Sequence, residues 1–216
     1  MKTIITIQHT QAVHHTNGMV GSWTDWKLTE EGINQAKNIG EKLKRELAEK
    51  EFVIYSSDLL RAKQTAENVG SLGVTPVLRS ELRERNLGKC CGKSVQWLRE
   101  NMDQPERTID DRLFPDAESR REEWNRLKPF FDEIMSNDEE NIIVVSHGDL
   151  LSVFNIMFLG LDVETLNTCE ISGLSGGVSL LVENNDGKRF IKRISDMSYI
   201  SYIYYKSINQ IILFYD

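Results

Sequence analysis

Cysteine is scarce in this chain: Cys90, Cys91 and Cys169 are the whole supply in 216 residues, and none has CxxC or other zinc-type spacing. That excludes a disulfide-stapled scaffold, and reduced thiols are expected, as in a cytoplasmic protein. Four prolines and fourteen glycines are too few for a collagen-like or low-complexity chain. Long hydrophobic runs are missing too. Lys2-Thr3-Ile4-Ile5-Thr6-Ile7 is too short for a signal-peptide core and runs into polar Gln8 and His9, so export is not expected. Ser198 to Asp216 falls short of the ~20 residues a membrane span needs and carries Lys206, Asn209 and Gln210, so no membrane partner is expected. Lys plus Arg number 26 against 33 Asp plus Glu, a net charge of −7, and no Lys/Arg run would track a phosphate backbone. Nucleic acid is therefore not an expected partner, and an acidic small molecule would need a spot where a few cations converge.

What is present is ordinary globular material, 40% apolar and 27% charged. The length fits one domain over residues 1–216, with 199–216 as a C-terminal tail. Lys2 to Gln8 reads as a buried strand ending at His9. Thr29 can cap a helix carrying Ile33, Ala36, Ile39, Leu43 and Leu47 at helical spacing. Phe52 to Tyr55 reads as a second strand, with Ser56-Ser57-Asp58 offering a cap for a helix over Leu59 to Val69. Val74 to Leu78 is a third strand, which Pro76 puts at an edge. Glu81 to Ser94 reads as loop, and Glu118 to Met135 as a long helix that Pro129 would kink or split. Ile142-Ile143-Val144-Val145 is a continuous apolar run of the kind found in central parallel strands; it ends at Ser146-His147, and a helix follows to Leu159. Val178 to Val182 and Arg189 to Ile194 flank the turn signal Asn184-Asn185-Asp186-Gly187 and form a hairpin. This alternation predicts an α/β three-layer sandwich: a mostly parallel central sheet with helices on both faces.

In such sheets, ligands sit beyond the carboxyl ends of the strands. All four histidines, His9, His14, His15 and His147, lie in two short segments that follow predicted buried strands. A neutral imidazole can attack phosphorus to give a phosphohistidine, and a second, protonated one can hold phosphoryl oxygens.

These residues resemble the histidine phosphatase, or phosphoglycerate mutase-like, superfamily over most of the chain. The matching blocks are the first strand with His9, then Gly21-x-Trp23-x-Asp25-x-x-Leu28-Thr29-x-x-Gly32-x-x-Gln35-Ala36. Next come Ser56-Ser57-Asp58-Leu59-x-Arg61-Ala62-x-Gln64-Thr65-Ala66, Leu82-x-Glu84-x-x-Leu87-Gly88-x-x-x-Gly92 and Val144-Val145-Ser146-His147-Gly148. The resemblance implies His9 as the phosphorylated nucleophile, Arg61 and His147 as phosphate ligands, and Glu84 as the proton donor to the leaving oxygen, with Glu81 its competitor. It implies phosphomonoester hydrolysis of a small phosphorylated metabolite, with no cofactor. Mutase-type transfer and phospho-ligand binding without turnover are the alternatives.

The family's Arg-His-Gly is here Gln8-His9-Thr10. Gln8 brings no charge, and losing a charge-assisted bond to a phosphoryl group costs roughly 1.5–3 kcal/mol. Thr10 puts a side chain where the backbone would approach phosphate. His15 falls where the family has Asn, and an imidazolium there would restore positive charge; Gln8, Thr10 and His15 are thus expected phosphate-pocket members.

Other motifs weigh less. Gly88-Lys89-Cys90-Cys91-Gly92-Lys93-Ser94 resembles a nucleotide-binding loop but has three residues between its glycines instead of four. His9, His14 and His15 have no acidic partner pattern, so no metal site is predicted. Trp23, Trp26 and Trp97 are candidates for stacking on a substrate or for packing under a loop. Five of the six tyrosines lie at 199–216, readable as a packed terminal strand or as a homodimer contact.

Overall fold

A computed structural model describes residues 1–200 apart from 48, 49, 71, 72 and 104. Nearly all of the tyrosine-rich tail, and with it the homodimer expectation, lies outside the described residues.

Six strands, β1 (Lys2–Gln8), β2 (Val53–Ser57), β3 (Val77–Arg79), β4 (Asn141–Ser146), β5 (Val178–Glu183) and β6 (Arg189–Asp196), form one sheet in the order β3-β2-β4-β1-β5-β6. The β3-β2, β2-β4 and β4-β1 pairs are parallel, and β5 pairs antiparallel with both β1 and β6. The sheet is thus mixed, and β5 alone runs against the rest. Side chains alternate between its faces. Ile4, Ile142 and Val144 face one apolar cluster with Leu127, Phe130, Phe154 and Phe158, while Ile5, Ile7, Ile143 and Val145 face another with Ile39, Leu43, Ala62 and Ala66. Helices α2 (Glu30–Glu46) and α3 (Leu60–Val69) therefore cover one face, and α5 (Arg120–Ser136) and α6 (Gly148–Phe158) the other.

Local chemistry sets the helix ends. The Thr29 hydroxyl accepts from Gly32 N, and Glu30 and Glu31 complement the dipole of α2. Ser119 and Glu122 close a reciprocal capping box on α5. That helix runs unbroken through Pro129, against the expected kink or split. Every residue of α6 from Leu150 to Phe158 is buried, as an all-round apolar helix must be.

Other boundaries differ from expectation. The third strand is Val77–Arg79, with Pro76 just before it. Leu59, without a side-chain cap, precedes α3, and the Ser57 hydroxyl accepts from Leu59 N rather than from an amide of the helix. Two short helices, α1 (His14–Asn17) and α4 (Val95–Asn101), arise where loop or nothing was read. A small third cluster of Val20, Cys90, Phe114 and Ala117, with Trp97 against it, packs the two long loops over the strand ends. Among the described residues no helix is long and apolar enough to cross a membrane.

Candidate active site

The register of β1 on β4 places the site. Gln8 pairs with Ser146 at the end of the parallel ladder, so His9 and His147 leave the sheet side by side, with ring centroids 5.1 Å apart. β2 ends at Ser57, whose Oγ lies 2.9 Å from His147 Nε2. The first turn of α3 then swings Arg61 onto His9.

The tautomer of His9 follows from its neighbours. Its Nδ1 lies 2.9 Å from the Thr10 carbonyl, which can only accept, so Nδ1 carries the proton. Nε2 therefore has a lone pair and accepts from Arg61 Nε at 3.1 Å. Burial first, then the charge of Arg61, holds the His9 pKa well below the usual imidazole value, and the ring is neutral at pH 7. His147 is lowered for the same two reasons, and its Nδ1 is buried with no hydrogen-bond partner among the described residues.

Arg61 is 1% exposed. Besides His9 it donates from Nη1 to Thr24 O and from Nη2 to Ser22 O, both at 2.9 Å. Burial brings its pKa down to about 10, so it keeps its charge at neutral pH. Ser22 sits at φ +47°, a left-handed conformation that is uncommon for a residue with a Cβ. It is held there by donation from its Oγ to Arg85 O (2.7 Å) and acceptance from Leu87 N (2.8 Å). Thus Ser22 and Thr24 aim the guanidinium, and Ser57 orients His147. Sequence reading gave none of the three a role: Ser57 is a matching residue of its block, while Ser22 and Thr24 fall at unspecified positions inside theirs.

Glu84 is half-buried against the N-terminus of α6. Its carboxylate accepts from Arg85 N (3.1 Å), Leu150 N (3.2 Å) and Asp149 N (3.5 Å). Those bonds and Arg61 favour the ionised form, but burial, followed by the nearby Asp149 carboxylate, outweighs them and raises the pKa to about 7. Asp149 is itself held by Arg85 Nε at 3.5 Å and Arg120 Nη2 at 3.4 Å. Glu81 interacts locally with Ser80 Oγ at 3.4 Å and is not brought to the cluster by any bond seen here.

Three expected pocket members behave differently. Thr10 is fully buried, and its Oγ1 donates to Gly32 O at 2.8 Å while its N–H donates to Thr65 Oγ1 at 3.1 Å. Its hydroxyl and amide both have partners inside the fold, next to His9. His15 stacks on His9 with centroids 5.3 Å apart, but its Nδ1 accepts from Ala12 N at 3.2 Å, which selects a neutral tautomer. Although His15 is exposed, desolvation of its ring and then the charge of Arg61 lower its pKa to about 4, which favours the neutral form at pH 7. His14 is lowered to about 3, by burial and then by His15 and Arg61. The half-buried Gln8 points its amide toward Gly148 at the start of α6, where a Cβ would lie 3.2 Å from Gln8 Nε2.

The tryptophans have structural partners. Trp23 Nε1 donates to Glu84 O at 2.6 Å, Trp26 Nε1 to Val20 O at 3.1 Å, and Trp97 packs on Phe114. In the glycine-lysine segment, Gly88–Cys90 forms one tight turn and Ser94 caps α4, so no phosphate-cradling loop results. A surface cavity of about 730 Å³ at the opposite ends of the strands, lined by Met1, Thr3, Val53 and Asn141 among others, contains no histidine or arginine. The convergence of His9, Arg61, Glu84 and His147 beyond the carboxyl ends of the parallel strands marks the candidate site instead.

The histidine phosphatase superfamily (branch 1) pattern matches residues 4–196. The chain belongs to that superfamily. A 2,3-bisphosphoglycerate-dependent phosphoglycerate mutase of Bartonella bacilliformis is 28% identical over 195 residues, covering 85% of this chain and 93% of its own length. Among solved structures, Bacillus stearothermophilus YhfR superposes with a TM-score of 0.79 at 22% identity, covering 93% of this chain and all of its own. The mycobacterial glucosyl-3-phosphoglycerate phosphatase Rv2419c gives 0.73 at 20% identity over 90% of this chain and 98% of its own. Those two likenesses establish the fold.

Proposed function

We propose that this histidine phosphatase superfamily member is a phosphomonoester phosphatase that acts on a small phosphorylated metabolite through a phosphohistidine at His9. The observation that carries the reading is the lone pair of His9 Nε2, kept unprotonated by the Nδ1 bond to Thr10 O and held 3.1 Å from its donor, Arg61 Nε. In the first step the Nε2–P bond forms as the ester P–O bond breaks, and Glu84 gives its proton to the departing alkoxide. Arg61 Nε–H turns from His9 to a phosphoryl oxygen, and His147 Nδ1, unpartnered in the ligand-free chain, bonds another. In the second step water attacks phosphorus, its proton passes to the Glu84 carboxylate, and the P–N bond breaks. A carboxyl with a pKa near 7 suits both roles.

Mutase-type transfer is the second reading, supported by the phosphoglycerate mutase relative at 28% identity. A screen of sugar phosphates, nucleotides and phospho-acids, with acid-quench trapping of labelled enzyme, tests both. Phosphatase action predicts an acid-labile label and released phosphate, both abolished in His9→Ala; label passed to a second substrate position without phosphate release favours the mutase. Turnover that survives His9→Ala refutes the mechanism.

A further inference from the structure

Two histidines near the nucleophile have no part in the proposed reaction. The single turn α1, which begins at His14 and ends before Gly18 at φ +70°, folds both of them back over His9. Ring centroids are 4.0 Å apart for His14 and His15, 5.3 Å for His9 and His15, and 5.7 Å for His9 and His14. One ring nitrogen from each lies within 4.8 Å of the other two. Only a glycine at position 21 leaves room for this: a Cβ there would lie 2.9 Å from His14 Nε2. His14 Nδ1 is buried with no hydrogen-bond partner among the described residues, so that nitrogen is already desolvated and unused.

We infer that His9, His14 and His15 form a binding site for a late first-row divalent cation such as Zn²⁺, and that its occupation blocks the nucleophile. Three imidazoles and one open position are a zinc ligand set, and imidazole selects Zn²⁺, Cu²⁺ or Ni²⁺ over Mg²⁺ and Ca²⁺. Tetrahedral coordination at ~2.05 Å requires nitrogens about 3.3 Å apart. Side-chain rotations of His14 and His15, the two members not fully buried, close the remaining gap. The His9 ligand atom is Nε2, because Nδ1 already donates to Thr10 O, an arrangement that also fixes the ring for a metal.

Two contacts are given up. Arg61 Nε–H loses the His9 lone pair but stays anchored on the Thr24 and Ser22 carbonyls. His15 loses its 3.2 Å bond from Ala12 N: at Nδ1 the metal takes that same lone pair, and at Nε2 the ring proton moves to Nδ1 to face that N–H. The neighbouring guanidinium disfavours a bare dication, so hydroxide in the open position completes the site and screens the two cations from each other. Metal and phosphoryl group thus compete for one lone pair; only this inhibitory half rests on the phosphohistidine reading.

The test is titration of the metal-free full chain with Zn²⁺ and, separately, Mg²⁺ by calorimetry, together with visible absorption of the Co²⁺-loaded protein. One Zn²⁺ per chain, no Mg²⁺ heat, the intense bands of four-coordinate Co²⁺, and at least ~10-fold weaker Zn²⁺ binding in His14→Gln are expected. If circular dichroism finds His14→Gln misfolded, His15→Gln takes its place. Absence of a one-to-one isotherm, weak six-coordinate Co²⁺ bands, or unchanged affinity in the folded variant overturns the site. With an active substrate, Zn²⁺ should raise the wild-type apparent KM and leave kcat unchanged, and His14→Gln should resist it. Zn²⁺ bound with no effect on KM would overturn the blocking role. A chain that binds Zn²⁺ but hydrolyses nothing would sink the phosphatase reading and leave the metal site standing.

Discussion

Glu84→Gln keeps the shape of the acid and removes its proton, so it isolates what that proton does. Burial and Asp149 push the carboxyl up to about 7 from an ordinary 4.5, a difference on the order of 3 kcal/mol between its two forms. If Glu84 is the general acid, wild-type kcat/KM falls about tenfold per pH unit above 7 as the proton is lost. Ionisation of the substrate phosphate near ~6 shapes the acid side of both curves and cancels in their ratio. In Glu84→Gln the fall above pH 7 vanishes. An alkyl phosphate, whose leaving oxygen needs a proton, loses about 10²- to 10⁴-fold, whereas an aryl phosphate, whose phenolate departs more readily, loses far less. Stability carries the same signature independently of turnover. A raised carboxyl pKa means the fold prefers the protonated form, so its contribution is complete below pH 4.5 and is lost as pH rises through 7. Urea unfolding at steps from pH 5 to 8 should therefore show wild type losing stability relative to Glu84→Gln, with roughly 3 kcal/mol as the ceiling. Equal rate losses for alkyl and aryl esters, or a basic limb that persists in the variant, would refute the assignment of Glu84 as the acid.

Arg61→Lys replaces a fork that serves His9, Thr24 O and Ser22 O with one ammonium that cannot reach all three. It should lower kcat/KM by about 10²- to 10³-fold in steady-state assays; a loss below tenfold would show that the guanidinium is not the phosphate anchor. Thr10→Val is nearly isosteric but leaves Gly32 O without its 2.8 Å donor. Denaturant melts should show a loss of about 1–3 kcal/mol with KM unchanged, and a raised KM at full stability would return Thr10 to the phosphate pocket.

Much of the framework was legible because long elements repeat their signal. Ile4 and Ile5, or Ile142 and Ile143, go to opposite clusters because a strand's period of two sends them there. The pairing of His9 with His147 follows from the same geometry, since two parallel buried strands that each end in histidine bring those residues together once they are neighbours in register. The elements that escaped, α1, α4 and the true bounds of β3, have three to seven residues. Over so few positions neither period can establish itself, and tertiary packing decides.

The side chains whose contacts differ from expectation do so for another reason: counting positions says where a residue sits in the chain but not which polar group it meets. Thr10 was expected in the pocket, yet Gly32 O and Thr65 claim it from the α2 and α3 side. His15 was expected to carry charge, yet one backbone N–H, partial desolvation of its ring and the nearby Arg61 favour its neutral form. Ser22 is the converse, an unremarked residue whose left-handed backbone is held by Arg85 O and Leu87 N so that its carbonyl meets Arg61. These choices leave His9, His14, His15 and His147 all with lowered pKa values around one guanidinium. At neutral pH the positive charge of this cluster therefore rests on Arg61, in a chain whose net charge is −7. A pocket so arranged offers several neutral nitrogen lone pairs beside one fixed cation, which equips it for phosphoryl transfer and equally for the capture of a soft dication.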